Sequence, residues 1–360
     1  MLGGGGAGAG VGGPSPAVVR PGHGIVVAVF GPTATGKTAL AIELAGRLGA
    51  RVISCDSMQV YRGFPVLTNQ PTAVETAAAP HELVAVADPD DEWTAARYAE
   101  AARPLIDADL AATGWALVVG GTGLYLRAAL APLAMAAPGD PVLRARLRKR
   151  GEVEGPEALH AELAALDPQA AAAIHPHNLH RVLRALEVAS LEGPGRWSGR
   201  SDLWAPAYRH PTLLVGLTVE PAVLSERIDR RGRRMLAEGA IEEVRRHRDA
   251  TGGAVEGGGA VEGGGAMEGG AAITRAIGYR EIVAELEGRA TRPQTEVALA
   301  AATRKYARRQ LTWMRKLKDA VIMNALAMPS AALARHIEST ARESRSAAPT
   351  LPDRGGPAQL

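Results

Sequence analysis

Residues 25–38 read IVVAVFGPTATGKT, and this stretch decides the fold. Ile25 to Phe30 is a short, β-branched apolar run of the kind buried on both faces of a parallel sheet. Gly31, Pro32, Thr33, Ala34, Thr35, Gly36, Lys37 and Thr38 follow at once and match G-x-x-x-x-G-K-[ST]. Backbone N–H groups of such a loop cradle phosphate oxygens, aided by the positive end of the next helix. Lys37 would bring its charge to the terminal phosphates, and the Thr38 hydroxyl would ligate Mg²⁺. The helix is predicted from Leu40, Leu44 and Leu48 at helical spacing, with Glu43 and Arg47 paired on the opposite side. A glycine-rich turn kept for packing is the competing reading; the strand-turn-helix context favours the phosphate loop.

Working outward, further strands are predicted at Arg51 to Cys55, Ala116 to Val119 and Leu213 to Val219. Strands alternating with helices give an α/β fold, a P-loop parallel sheet core with helices on both faces. Between the third and fourth strands the chain is rich in Ala, Leu, Arg and Glu, which predicts a helical insertion lobe. The expected domains are a core over 25–137, the lobe over 138–205 and the rest of the core over 206–325. A helix is predicted from Pro221 to about His247, and another, with a basic face, from about Val297 to Leu317. Residues 1–24 and 340–360 are Gly-, Ala-, Pro- and Ser-rich and are expected to be disordered. The near-repeat AVEGGGA, AVEGGGA, AMEGGA within 251–272 is expected to be a flexible loop whose deletion spares activity.

The formal net charge is only +3, so the distribution of charge matters more than its sum. Thr303 to Lys318 holds seven basic residues and no acidic one. Arg144, Arg146, Arg148, Lys149 and Arg150 form a second cluster, and Arg227, Arg230, Arg231, Arg233 and Arg234 a third. Such patches suit a polyanion, although a solvated helix face explains any one of them equally well. Cys55 is the only cysteine, which excludes an internal disulfide and a cysteine-based zinc site. No apolar run approaches a membrane span, and a cytoplasmic protein is expected.

Three more segments carry chemistry. Asp56-Ser57 directly follows a predicted strand, so Asp56 would border the ligand crevice as a general base or Mg²⁺ partner; capping the next turn is the alternative. Gly120-Gly121-Thr122-Gly123-Leu124-Tyr125 allows close approach of a ligand and offers the Thr122 hydroxyl, with a tight strand-to-helix turn as the equal alternative. His175-Pro176-His177-Asn178, with His180 nearby, lacks the carboxylate or cysteine of a metal set and reads as a turn opening a helix. That helix presents Arg181 and Arg184 one turn apart, able to contact phosphate. The best candidate strand for a Mg²⁺-holding acid ends in Gly-Gly-Thr, which weakens an NTPase reading and leaves room for diphosphate as a leaving group.

Together GPTATGKT, SCDSMQVYRG, PHELV, VVGGTGLYLRAAL, HPHNLHRVLRALEV, RIDRRGRRML, AIGYREI and TRKYARRQLTWMRK resemble the tRNA dimethylallyltransferases, over about Ile25 to Leu317. The resemblance implies transfer of a dimethylallyl group from dimethylallyl diphosphate to N6 of the adenosine 3′ of the anticodon, in tRNAs reading codons that begin with U. It implies Asp56 as proton acceptor, Thr122 and Thr38 as catalytic partners, and Mg²⁺ as cofactor. It places Arg227 and Arg231 with Gly31 to Thr38 on the diphosphate. Asp56, Ser57, Met58, Gln59, Arg144, His180, Arg181, Val182, Leu183, Arg184, Arg275, Gly278, Tyr279 and Arg280 would meet tRNA. A monomer is expected. Gln70 stands where the family commonly has lysine, which puts a phosphate contact there in doubt, and the absent zinc finger points to the bacterial form. The rivals are an adenylate isopentenyltransferase acting on free nucleotide, a P-loop small-molecule kinase, and a non-catalytic RNA-binding protein.

Overall fold

Strand β1 (Ile25–Phe30) is buried at every residue and lies at the centre of a parallel sheet. The computed structural model describes residues 24–133, 139–195, 202–252 and 272–347. Almost all of the N-terminal segment and the 251–272 loop, and the last part of the tail, lie outside them. After β1 come α1 (Lys37–Leu48), β2 (Val52–Cys55), α2 (Ala73–Ala78), β3 (His81–Glu82), α3 (Ala95–Thr113), β4 (Trp115–Gly120) and α4 (Gly123–Leu130). Helices α5 (Pro141–Glu154), α6 (Pro156–Leu166), α7 (Pro168–Ala173) and α8 (Leu179–Glu192) pack around their own core, which includes Leu147, Leu159, Leu163 and Leu186. The chain returns through β5 (Thr212–Thr218), α9 (Pro221–Ala237), α10 (Ala240–Ala250), α11 (Tyr279–Leu286), α12 (Arg292–Met314), β6 (Val321–Asn324) and α13 (Ser330–Ala347).

The strand order is β3-β2-β4-β1-β5-β6, with every pairing parallel. Side-chain alternation along β1 divides the core in two. Val26, Ala28 and Phe30 meet α3 and α4, whereas Ile25, Val27 and Val29 meet α1 and α13. This is the α/β architecture with helices on both faces that the β-branched runs predict. Because β1 is flanked by β4 and β5, the chain diverges at its carboxyl end, where ligand crevices form in such sheets.

Several boundaries move. Strand β1 lies where predicted, and β2, β4 and β5 begin or end a residue away from the predicted bounds. The helix expected to run to His247 breaks at Gly239 (φ 119°), and the basic helix starts earlier, at Arg292 behind the Thr291–Gln294 cap. The expectation of a disordered tail from 340 is corrected for 340–347. Leu333, Ala334, Ile337 and Ala341 bury one stripe of α13, and Arg342 and Arg345 lie 5.3 and 5.1 Å from the Trp115 ring centre. No helix among the described residues is long and apolar enough to cross a membrane.

Candidate active site

The loop between β1 and α1 folds around its own lysine. Lys37 Nζ donates to the carbonyls of Gly31 (2.9 Å) and Pro32 (2.7 Å), and the Thr35 hydroxyl donates to Pro32 O (2.8 Å). Ala34 (φ 65°) and Gly36 (φ 96°) take the left-handed conformation that turns the chain tightly into the helix. Burial lowers the Lys37 ammonium to about 8, against the opposing pull of the Asp56 carboxylate; the Arg231 charge lowers it further. From α9, Arg227 Nη1 donates to Ala34 O (3.3 Å) and Arg231 Nη1 to the Thr33 hydroxyl. The structure therefore brings Arg227, Arg231, Lys37 and the P-loop backbone to one place.

Asp56 leaves the end of β2 and Thr122 the end of β4. Asp56 Oδ1 accepts from the Met58 N–H (2.9 Å) and the Gln59 N–H (3.4 Å), so it does cap the turn. Its other oxygen takes no hydrogen bond among the described residues. Thr122 Oγ1 accepts from the Ser57 N–H (3.0 Å) and lies 3.3 Å from the Ser57 hydroxyl, to which it donates. Gly120 is the price of this closeness: a Cβ there would lie 2.0 Å from Cys55 O. Cys55 is buried and its thiol is pushed far up, mainly by burial, so it is not the reacting group.

Two residues of α12 complete the cleft, and reading the segment as a basic surface missed both. Tyr306 lies close enough to Thr122 and Asp56 for both to act on its hydroxyl, which is raised by burial first and then by the Asp56 charge, against the opposing effect of the Thr122 side chain. Gln310, buried at 3% exposure, accepts from the Thr33 N–H and donates to Gly121 O, each at 2.9 Å. Their i,i+4 spacing in an otherwise basic run is the signal that could have found them.

The residues expected to meet RNA divide. Ser57 and Met58 lie beside Asp56, but the Gln59 amide is engaged, accepting from the Ser54 hydroxyl (3.0 Å) and donating to Asn69 O (2.6 Å). Gln70 donates to the carbonyls of Gln59 (3.0 Å) and Tyr61 (2.7 Å), so it staples this loop from within. Val182 and Leu183 are corrected to core residues of the lobe, because the face of α8 that carries them packs on α5 and α6. Tyr279 is 1% exposed and lies 2.7 Å from His247 Nδ1, and Gly278 (φ 100°) is wedged against Leu67, Met235 and Leu299. Neither presents a side chain to a ligand. Arg144 pairs with the fully buried Glu187 (3.2 Å) and with Glu92 (3.6 Å), and Arg184 also binds Glu187 (2.6 Å). Arg181 is exposed on the same helix; His180, between them, is held below its ordinary value by burial and by Arg144, Arg148, Arg181 and Arg184. Arg275 Nε donates to Ala272 O (3.2 Å), while Arg280 stays partly exposed on α11.

A loop of P-loop sequence at the carboxyl end of the central strand, near a strand-end carboxylate and hydroxyl, marks the P-loop α/β fold. Comparison with known proteins sharpens this. The family model described as IPP transferase matches residues 59–317, and one described as isopentenyl transferase matches residues 24–80. A tRNA dimethylallyltransferase of Anaeromyxobacter dehalogenans (strain 2CP-C) is 42% identical over 320 residues, 87% of this chain and 99% of the relative. One from Shouchella clausii (strain KSM-K16) is 40% identical over 299 residues, 82% and 90% of the two chains. The crystal structure of the full-length tRNA isopentenylpyrophosphate transferase from Bacillus halodurans superposes with a TM-score of 0.61 at 34% identity, covering 89% of this chain and 98% of that one. The chain belongs to the IPP transferase family.

Proposed function

We propose that this protein is a tRNA dimethylallyltransferase. It moves the dimethylallyl group of dimethylallyl diphosphate onto N6 of the adenosine just 3′ of the anticodon, in tRNAs reading codons that begin with U. The observation that carries the reading is the meeting of Asp56, Thr122 and the Lys37 loop at one strand-end crevice, in a chain about 40% identical to proteins of that name. The amine nitrogen attacks the allylic carbon as the carbon–oxygen bond breaks. The electron pair of that bond leaves with the diphosphate, and the amine proton passes to Asp56. The P-loop amides, Lys37, Arg227 and Arg231 receive the leaving group's charge where it develops. Thr122 holds the Ser57 turn beside the base, which must leave its stack to reach the cleft. As an enzyme acting on tRNA it would work in the cytoplasm.

Mg²⁺ fits the donor set. The Thr38 hydroxyl, at the first turn of α1, makes no hydrogen bond among the described residues, and the remaining ligands of this hard cation would be diphosphate oxygens and water. Bound there by Thr38, it would add charge neutralisation on the diphosphate.

The test is incubation with dimethylallyl diphosphate, Mg²⁺ and unmodified tRNA, followed by digestion to nucleosides and mass measurement. An adenosine heavier by one dimethylallyl group is expected from the wild type. Asp56→Ala should turn over about 10²- to 10⁴-fold more slowly. Added mass on AMP but not on tRNA would move the chain to the free-nucleotide reaction, and phosphoryl transfer from ATP would make it a kinase.

A further inference from the structure

Thr33 and Gly121 belong to different loops, one after β1 and one after β4, and the proposed chemistry needs both held in register. The diphosphate loop contains Thr33, and the residue after Gly121 is Thr122. A single side chain joins them. Gln310 reaches in from α12, accepts from the Thr33 N–H with Oε1 and donates to Gly121 O with Nε2, both at 2.9 Å. The approach is so close that a Cβ on Gly121 would lie 2.1 Å from Nε2. Gln310 is 3% exposed, and both polar ends of its amide are used. Arg231 meanwhile donates to the Thr33 hydroxyl. From Gly121 the linkage continues through Thr122 Oγ1 to the Ser57 N–H, and so to the turn capped by Asp56.

We propose that Gln310 is a positioning residue for the transfer reaction, a splint that sets the distance between the diphosphate loop and the Thr122–Asp56 side of the cleft. It touches neither reacting atom; it acts through Thr33 and Gly121. This rests on the prenyl-transfer reading above. The amide is suited to the task because one planar group both accepts and donates, and no charge is placed beside a bound diphosphate. Misplacing reacting groups by about an ångström costs on the order of 100-fold in rate, so the splint acts on turnover more than on tRNA binding.

Two near-isosteric variants of the full chain test this. Gln310→Met keeps the packing and loses both bonds. Its kcat should fall about 10- to 100-fold while the KM for tRNA stays put, and exchange of the Thr33 amide hydrogen should quicken. Gln310→Glu accepts from Thr33 but cannot donate to Gly121 until it is protonated. Its turnover relative to wild type should therefore rise as pH falls, which a packing role alone would not produce. An unchanged kcat in Gln310→Met, or a Gln310→Glu profile parallel to wild type, overturns the proposal. If wild type itself fails to prenylate tRNA, the functional reading falls. Amide exchange at Thr33 then still decides the splint, and unaltered protection in Gln310→Met removes it.

Discussion

Lys37 should cost the ligand-free protein stability at neutral pH and return it as pH rises. Its ammonium is drawn from the ordinary 10.5 to about 8, chiefly because the folded P-loop strips its water. At 1.36 kcal/mol per unit, that gap corresponds to about 3 kcal/mol against the folded state wherever the lysine is charged in both states, which is below pH 8. Between pH 8 and 10.5 the unfolded chain holds the proton and the folded chain has released it, so stability climbs; above 10.5 the cost is gone. Lys37→Met keeps most of the side-chain volume and carries no proton. It also leaves the carbonyls of Gly31 and Pro32 without their donor, at about 1–3 kcal/mol each where they are desolvated. The difference between the two proteins at one pH is therefore a near-cancellation, and its pH dependence is the informative quantity. Urea unfolding at pH 7.5 and 9.5 should show wild type gaining about 2 kcal/mol relative to Lys37→Met. A diphosphate beside Lys37 would hold the proton on it. The affinity of wild type for inorganic pyrophosphate, taken relative to Lys37→Met so that the ligand's own ionisation cancels, should accordingly fall toward tenfold per unit above pH 8. A stability difference that is equal at both pH values would refute the desolvated lysine and the phosphate cradle built on it.

Two further outcomes concern the helical lobe. Arg144→Ala should destabilise the lobe by about 1–3 kcal/mol, because Glu187 would keep only Arg184 as an ion-pair partner among the described residues; unchanged urea stability together with weakened tRNA binding would instead make Arg144 a phosphate ligand. His180 is kept below 6.5 by burial and the guanidinium groups around it, and an RNA phosphate would raise it, so tRNA binding should take up a proton and tighten as pH falls from 7 toward 5.5. His180→Gln should bind with much less pH dependence over that range, and an identical slope in both proteins would place the phosphates elsewhere.

What could be read from the residues follows from how local each signal is. IVVAVFGPTATGKT specifies strand, turn and helix within 14 contiguous residues; Asp56 is conspicuous because it directly follows an apolar strand, and Thr122 because only glycines separate it from another. Gln310 carries no such mark. Its role exists only once α12 lies across the ends of β1 and β4, 277 residues from Thr33. Arg144 reads as surface charge because its partner, Glu187, is 43 residues away and nothing in either neighbourhood announces a buried acid. Val182 and Leu183 were legible and misread. Their helix turns about 100° per residue, so a run Arg-Val-Leu-Arg cannot present all four to one ligand. Periodicity puts Arg181 and Arg184 toward one side and the two apolar residues toward the core, and there it outweighs carry-over of a whole motif. Short β3 and β6 lack enough residues for a pattern, and β6 is half exposed at the sheet edge, where no apolar run is required.

The strand order also accounts for the proposed division of labour. Asp56 follows β2, Thr122 follows β4, the P-loop follows β1, and Arg227 and Arg231 stand on the helix after β5. Acceptor chemistry thus lies on one side of the central strand and leaving-group chemistry on the other. Neighbouring strands are about 4.8 Å apart, so β2 and β1, two steps apart through β4, are separated by roughly 10 Å. Carboxylate to amine, amine to allylic carbon and phosphate oxygen to loop amide each take about 3 Å when poised to react, and the bonds of the diphosphate itself add to that, so the substrates would reach across the whole interval between the two strand ends. Strand β4 lies between the two partners and ends in Gly120 and Gly121, where any side chain would strike Cys55 O or Gln310 Nε2. The glycines therefore keep the end of β4 free of side chains where the proposed substrates would cross it, and the first side chain after them is that of Thr122.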